Sequence, residues 1–138
     1  MEYRVATTED VPLLAGLNKQ LIEDEQHRNA MSIEELAERM ARWLANGYRA
    51  TIFLYNGEVI GYTLFRHEPD HVYIRQFFIA RQYRRRGFGR ETIEWLRGNA
   101  WKDFRRFRLD VLIGNERAIA FWRSVGFQEY CVTMEAVD

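Results

Sequence analysis

Four arginines and two glycines fall within seven residues, Arg84-Arg85-Arg86-Gly87-Phe88-Gly89-Arg90. The stretch follows an apolar run, Val72 to Ala80, and opens a helical pattern that continues through Ile93 and Leu96. The local reading is therefore a strand, a tight basic turn and a helix N-terminus. Amides at a helix start point outward unpaired and carry partial positive charge, so an anion can settle there. Gly87 and Gly89 let the backbone approach that anion closely, and Arg84, Arg85, Arg86 and Arg90 can add charge-assisted hydrogen bonds. The expected ligand is a phosphate ester, a pyrophosphate first among them. A magnesium-nucleotide loop is excluded, because no Gly-Lys-Ser/Thr ending follows. The three-glycine dinucleotide fingerprint is excluded too, since Thr92 stands where its third glycine would fall. On these residues alone, a solvated arginine-rich turn at an ordinary helix start stays open as the other account.

The elements that must position this loop follow from the rest of the 138 residues. A hydrophobic content of 47% suits one globular domain, 1–138, with a core of its own. Twenty basic residues balance twenty acidic ones, so the whole chain is no polyanion binder, and a nucleic-acid partner is not expected. Cys131 is the only cysteine, which leaves no disulfide frame and no cysteine zinc site. His27, His67 and His71 lack metal-ligand spacing, so no metal is expected. No apolar run approaches membrane-spanning length, and no leader segment is visible; the expectation is a soluble, cytoplasmic protein.

Residues Met1 to Ala6 lean towards a strand. Thr7-Thr8-Glu9-Asp10 then offers an N-cap, and apolar residues at helical spacing predict a helix from about 9 to 27. Ser32-Ile33-Glu34-Glu35 is a capping box for a second helix, which Asn46-Gly47 ends. Tyr48 to Tyr55 and Glu58 to Phe65 flank Asn56-Gly57 as a hairpin, and Val72 to Ala80 follows as a third strand. A helix from Gly87 to about Trp101, a strand from Phe107 to Ile113, a helix capped by Asn115 and a final strand from Phe127 to Met134 complete the chain. The order β-α-α-β-β-β-α-β-α-β implies an α/β fold, a mixed central sheet with helices on both faces.

Two segments and this element order together resemble the GCN5-related N-acetyltransferase (GNAT) superfamily. Arg84-x-x-Gly87-x-Gly89 is similar to its Gln/Arg-x-x-Gly-x-Gly/Ala signature. Asn115, Ala118, Phe121, Gly126 and Phe127 fall in place for its closing Asn-x-x-Ala-x-x-Phe-Tyr-x-x-x-Gly-Phe segment. The resemblance covers essentially the whole chain. It implies acetyl-CoA as co-substrate, lying where the fourth and fifth strands splay apart. Its pantetheine arm would pair with backbone at Phe77, Phe78 and Ile79, Asn115 would reach the arm, and Phe121 would pack on it. Its diphosphate would rest on the loop from Arg84 through Arg85, Arg86, Gly87 and Phe88 to Gly89 and Arg90.

The implied reaction is direct attack of a primary amine, on a small molecule or a protein, upon the thioester. It needs a neutral amine, a donor for the oxyanion and a proton for the thiolate. Here the chain departs from the family pattern. Trp122 replaces the tyrosine that protonates the thiolate in many members, and an indole N–H is no usable acid. Arg75 and Gln76 stand near the fourth-strand position where a carboxylate base often lies. Glu25 and Glu68 are the candidate bases from other elements, and a solvated surface glutamate is the plainer account of each. Glu23-Asp24-Glu25 could attract an ammonium-bearing acceptor, or be surface compensated by His27 and Arg28. A non-catalytic acyl-CoA-binding sensor or regulatory domain shares the cofactor segments and is the alternative function. Homodimers are frequent in the family, with the final strand or exposed Trp95 and Trp101 as the implied seam.

Overall fold

The computed structural model describes residues 1–25 and 28–138. Strand β1 (Glu2–Val5) leads through a 3-10 turn into helix α1 (Val11–Asp24), and α2 (Ile33–Ala45) follows. The β2 (Tyr48–Tyr55), β3 (Glu58–His67) and β4 (Val72–Ile79) strands form a meander. A 3-10 turn at Arg81–Tyr83 then leads to α3 (Phe88–Gly98), the short β5 (Phe107–Arg108) and α4 (Glu116–Ser124). The sheet runs β1-β2-β3-β4-β5, antiparallel as far as β4 and parallel between β4 and β5. Gln26 and His27, the last residues of the expected first helix, lie outside the described residues.

Local chemistry sets the boundaries. The Ser32 hydroxyl accepts from the Glu35 amide at 3.2 Å and the Glu35 carboxylate accepts from the Ser32 amide at 2.9 Å, so the capping box forms as read. Asn56 and Gly57 both take positive φ, the backbone that a tight hairpin turn requires. Asn115 caps α4 by accepting from the Ala118 amide at 3.2 Å.

Helices cover both faces of the sheet. On one side Leu14, Leu17 and Leu21 of α1 and Met40 of α2 pack on Ala50, Ile52, Tyr62, Leu64 and Phe78. On the other, Ile93 and Leu96 of α3, with Trp122 and Val125 around α4, pack on Phe65, Val72 and Ile74. Trp101 is fully buried in this second cluster, edge-on to Phe65, so it is core and not the exposed seam residue expected; Trp95 stacks on Tyr3 at 4.1 Å.

The C-terminal third departs from expectation. The strand foreseen over Phe107 to Ile113 pairs with β4 only at Phe107 and Arg108. The final strand foreseen over Phe127 to Met134 does not form, and Tyr130, Val132 and Met134 are exposed. Alternation alone cannot hold a strand: one face must be buried against something, and so short a β5 offers little ladder to add to. Cys131, expected to pack within that strand, is exposed instead. No helix among the described residues is long and apolar enough to cross a membrane.

Candidate functional site

The basic loop is built as the sequence suggested, but most of its arginines are used to hold it. Gly87 takes φ +83° immediately before α3, and nothing lies within 4 Å of where its Cβ would be, so backbone conformation requires the glycine. Gly89 is required by proximity: a Cβ there would stand 2.8 Å from the Phe121 ring. Among the described residues, none of the amides from Arg85 to Arg90 donates to a protein acceptor, so the turn presents a run of open N–H groups at a helix start. Arg84 donates to the Ile79 carbonyl at 2.8 Å and to Asp24 at 3.0 Å. Arg86 lies over the Tyr55, Tyr83 and Phe88 rings, and Arg90 donates to the Ser124 carbonyl at 2.8 Å. Arg85, at φ +60°, lines the cleft in front of the loop.

That cleft exists because β4 and β5 part. Their parallel pairing ends at Tyr73 and Arg108. The register between β3 and β4 then slips, Leu64 facing Gln76 and Phe65 facing Ile74, so Arg75 is an extra residue on β4. A bulge bends its strand and re-aims the side chain at the extra position. The resulting space, about 1010 Å³, runs from the loop between β4 and Leu109, Asp110 and Val111 to the C-terminal end of α1. Phe77, Phe78, Ile79, Asn115, Phe121 and Trp122 all line it. Phe77 and Phe121 stack with ring centres 6.0 Å apart, and Trp122 stands edge-on to Phe77 at 5.2 Å.

The C-terminal end of α1 is polar and touches the loop. Asp24 gathers three guanidiniums: Arg84 at 2.7 Å, Arg117 at 3.1 Å and Arg81 at 3.2 Å. Burial raises the Asp24 pKa, but hydrogen bonds from Arg84 and Arg81 outweigh it and the carboxyl ends below its ordinary range. The middle member of the acidic triplet therefore ties α1 to the loop and to α4. Arg28, expected to balance the triplet, lies 3.9 Å from Glu135. Glu25, the next residue, also lines the cleft. The buried Tyr62 hydroxyl donates to Gln76 Oε1 at 2.6 Å; burial and then the Glu25 charge push its pKa well above the usual tyrosine value. Tyr73 donates to Asp110 at 2.7 Å, and burial and that bond push it up to about 12.

The structure thus brings Glu25, Trp122, Asn115, Phe121, the β4 segment and the loop except for Arg86 to one cleft, and sets Glu68 apart. Glu68 sits beyond the end of β3 at 2.6 Å from Arg66, and it is not among the cleft residues. Phe88 turns into the core against Phe53, Ile60 and Ile79, so its contribution to the loop is its amide. Sequence reading missed Asn18, Arg39 and Trp43, which line the cleft from α1 and α2. They recur at helical spacing on two different helices, and no short motif marks them. Among the described residues no cluster of three or more His, Cys, Asp or Glu could hold a metal ion.

The architecture has many counterparts among solved structures. A possible acetyltransferase from Clostridium difficile 630 superposes with a TM-score of 0.82 at 18% identity, covering 99% of this chain and 96% of that one. A predicted acetyltransferase with acetyl-CoA from Clostridium acetobutylicum gives 0.77 at 19% identity, covering 99% and 95%. An aminoglycoside acetyltransferase from an uncultured soil metagenomic sample, in complex with sisomicin, gives 0.76 at 17% identity, again covering 99% and 95%. At such identities these likenesses speak for the fold. No curated protein sequence matches the chain significantly. The profile of the acetyltransferase (GNAT) family, however, matches residues 18–127, a span that takes in the divided β4–β5 edge, the glycine loop and the helix that closes on it. With sequence profile and architecture in agreement, the chain belongs to the acetyltransferase (GNAT) family.

Proposed function

We propose that this protein transfers the acetyl group of acetyl-CoA to a primary amine. The observation that carries the reading is the run of open amides from Arg85 to Arg90 at the start of α3, joined by one cleft to the unpaired edge of β4. The cleft fits the cofactor. The amides and the Arg85 guanidinium suit a diphosphate, and the β4 edge from Phe77 to Ile79 offers backbone to an extended amide-bearing arm. The Asn115 carboxamide oxygen is taken by the α4 cap, which leaves its N–H groups to donate. The solved structures of like fold from Clostridium acetobutylicum, with acetyl-CoA, and from the soil metagenome, with sisomicin, support the two halves of the reading.

When bound, the cofactor supplies an acyl thioester. The chain's own part is to orient the amine, remove its proton and hold water away. Glu25 is the proposed base, since it lines the cleft at the end of α1 beside the Tyr62–Gln76 pair. Asp24 is unsuited, because three guanidiniums depress its basicity. Trp122 is proposed as a wall of the site: it is buried against Phe77, Phe121 and Phe127 and has no acidic proton to give. Tyr73, at about 12, is a poor acid at neutral pH. The departing thiolate is then protonated by water.

We take the acceptor to be a small molecule, the protein to work in the cytoplasm, and its assembly to be a homodimer joined through the exposed Tyr130, Val132 and Met134. Light scattering at one protomer mass would remove the last point. Thiol release from acetyl-CoA across a panel of primary amines tests the reaction. Amine-dependent release that ceases in the Glu25→Gln variant is the expected result. Tight binding without release from any amine would instead mark an acyl-CoA sensor.

A further inference from the structure

The acceptor end of the cleft holds two positive charges that, among the described residues, make no ion pair. Arg39 of α2 and Arg75 on the β4 bulge both lie against the Trp43 indole, their guanidinium carbons 4.5 and 4.7 Å from the ring centre. Arg39 donates to Asn18 Oδ1 at 3.2 Å, and Arg75 to the Tyr48 hydroxyl at 3.3 Å. Those partners are neutral. The ion pairs among the described residues include neither arginine. Asp110, the acid facing the cleft from beyond β5, accepts from Tyr73.

Two further atoms are out of balance. Arg39 Nε and Asn18 Nδ2 are buried donors with no hydrogen-bond partner among the described residues, and Asn18 is wholly enclosed. A buried donor left unmade forfeits its hydration without replacement, and more so when charged, so native proteins rarely leave several together without a reason. Burial, then the neighbouring Arg75 charge, lowers the Arg39 pKa: Arg39 is partly desolvated and the two cations repel each other. An indole face eases one cation but cannot neutralise two. What would relieve all of these groups at once is an anion.

We infer that the acceptor amine carries a carboxylate, held by the Arg39 and Arg75 guanidiniums beside Trp43, so that the substrate class is an amino acid or a closely related amino carboxylate. The inference rests on the transferase reading above and specifies its acceptor. In this arrangement Glu25 faces the ammonium end of a zwitterion and the two arginines face its carboxylate, all lining one cleft. A planar guanidinium fork matches a carboxylate in two parallel hydrogen bonds, which a lone ammonium side chain could not offer. The same charges oppose a polycationic amine such as an aminoglycoside.

The test compares α-amino acids with their carboxamides, and with a polyamine, as acceptors in a thiol-release assay with acetyl-CoA. The free acids are expected to exceed their amides in kcat/KM by at least about tenfold, since a charge-assisted pair is gained. Arg75→Gln changes an exposed side chain and should raise KM for the acids while largely sparing kcat, erasing their advantage. Arg39→Gln should act the same way, and its circular dichroism separates lost recognition from lost fold. Equal or better use of the amides or the polyamine overturns the inference and leaves the transferase reading standing. An acid preference that survives Arg75→Gln and Arg39→Gln in folded protein also overturns it. No turnover of any acceptor, by protein that binds acetyl-CoA, overturns both readings together.

Discussion

The two ends of the cleft are both rich in arginine, and they use it in opposite ways. At the loop end, Arg81, Arg84 and Arg117 converge on one carboxylate, Asp24, while Arg86 and Arg90 are occupied by aromatic rings and a carbonyl. Charge there is spent on architecture, and the open capacity for an anion lies in backbone amides and Arg85. At the proposed acceptor end, Arg39 and Arg75 flank an indole with no carboxylate partner among the described residues, so charge there is held in reserve. The lesson is that density of arginine does not identify the ligand-binding arginine. The partner of each guanidinium does.

The largest effect is expected at the helix start. Gly87→Glu places a carboxylate among the open amides, in a backbone conformation that disfavours a side chain, and is expected to abolish acetyl-CoA binding in calorimetry. Because the space around that Cβ is open, the circular dichroism spectrum should be retained. Next in size, Glu25→Gln should lower kcat by roughly 10²–10⁴-fold in thiol release with little change in cofactor affinity. If kcat holds, the base lies elsewhere.

A paired substitution then separates the two uses of arginine within the loop itself. Arg84→Gln removes the bonds to Ile79 and Asp24 and is expected to cost about 2 kcal/mol of stability in urea melts. Arg85→Gln should leave the melt alone and weaken acetyl-CoA binding by about tenfold. Matching losses in both assays for both variants would dissolve the distinction.

The smallest effect concerns pH. The Asp24 pKa is lowered in the folded protein, so the stability it contributes is present above the unfolded carboxylate value, about 3.9, and is lost as pH falls through the lower folded value. Thermal melts of Asp24→Asn should therefore fall less steeply than wild type below about pH 4. Parallel curves would show that the three-arginine cluster is not coupled to folding.

What the sequence made legible was whatever depends on neighbours along the chain. The Ser32–Glu35 box, the Asn56-Gly57 turn, the Asn115 cap and the strand–glycine–helix passage at Gly87 are contacts within a few residues, and each has a local signature. Arg39, Trp43 and Arg75 meet only because α2 lies across a sheet whose fourth strand carries a bulge, and nothing at position 75 announces that bulge. Asp24 read as a magnet for ammonium because its arginines lie up to 93 positions away. The final strand failed for the converse reason. Its alternating pattern was local and clear, but strand formation needs a partner edge, and β5 pairs through only Phe107 and Arg108.

The central claim is that the glycine loop and the parted β4 edge form an acetyl-CoA site. Calorimetric titration of wild type and Gly87→Glu with acetyl-CoA, beside coenzyme A and ATP, tests it most directly. Saturable micromolar binding of acetyl-CoA by wild type, absent from the folded variant and not matched by ATP, is the predicted result. Folded wild-type protein that takes up no acetyl-CoA, or a variant that binds it as well as wild type, would contradict the account.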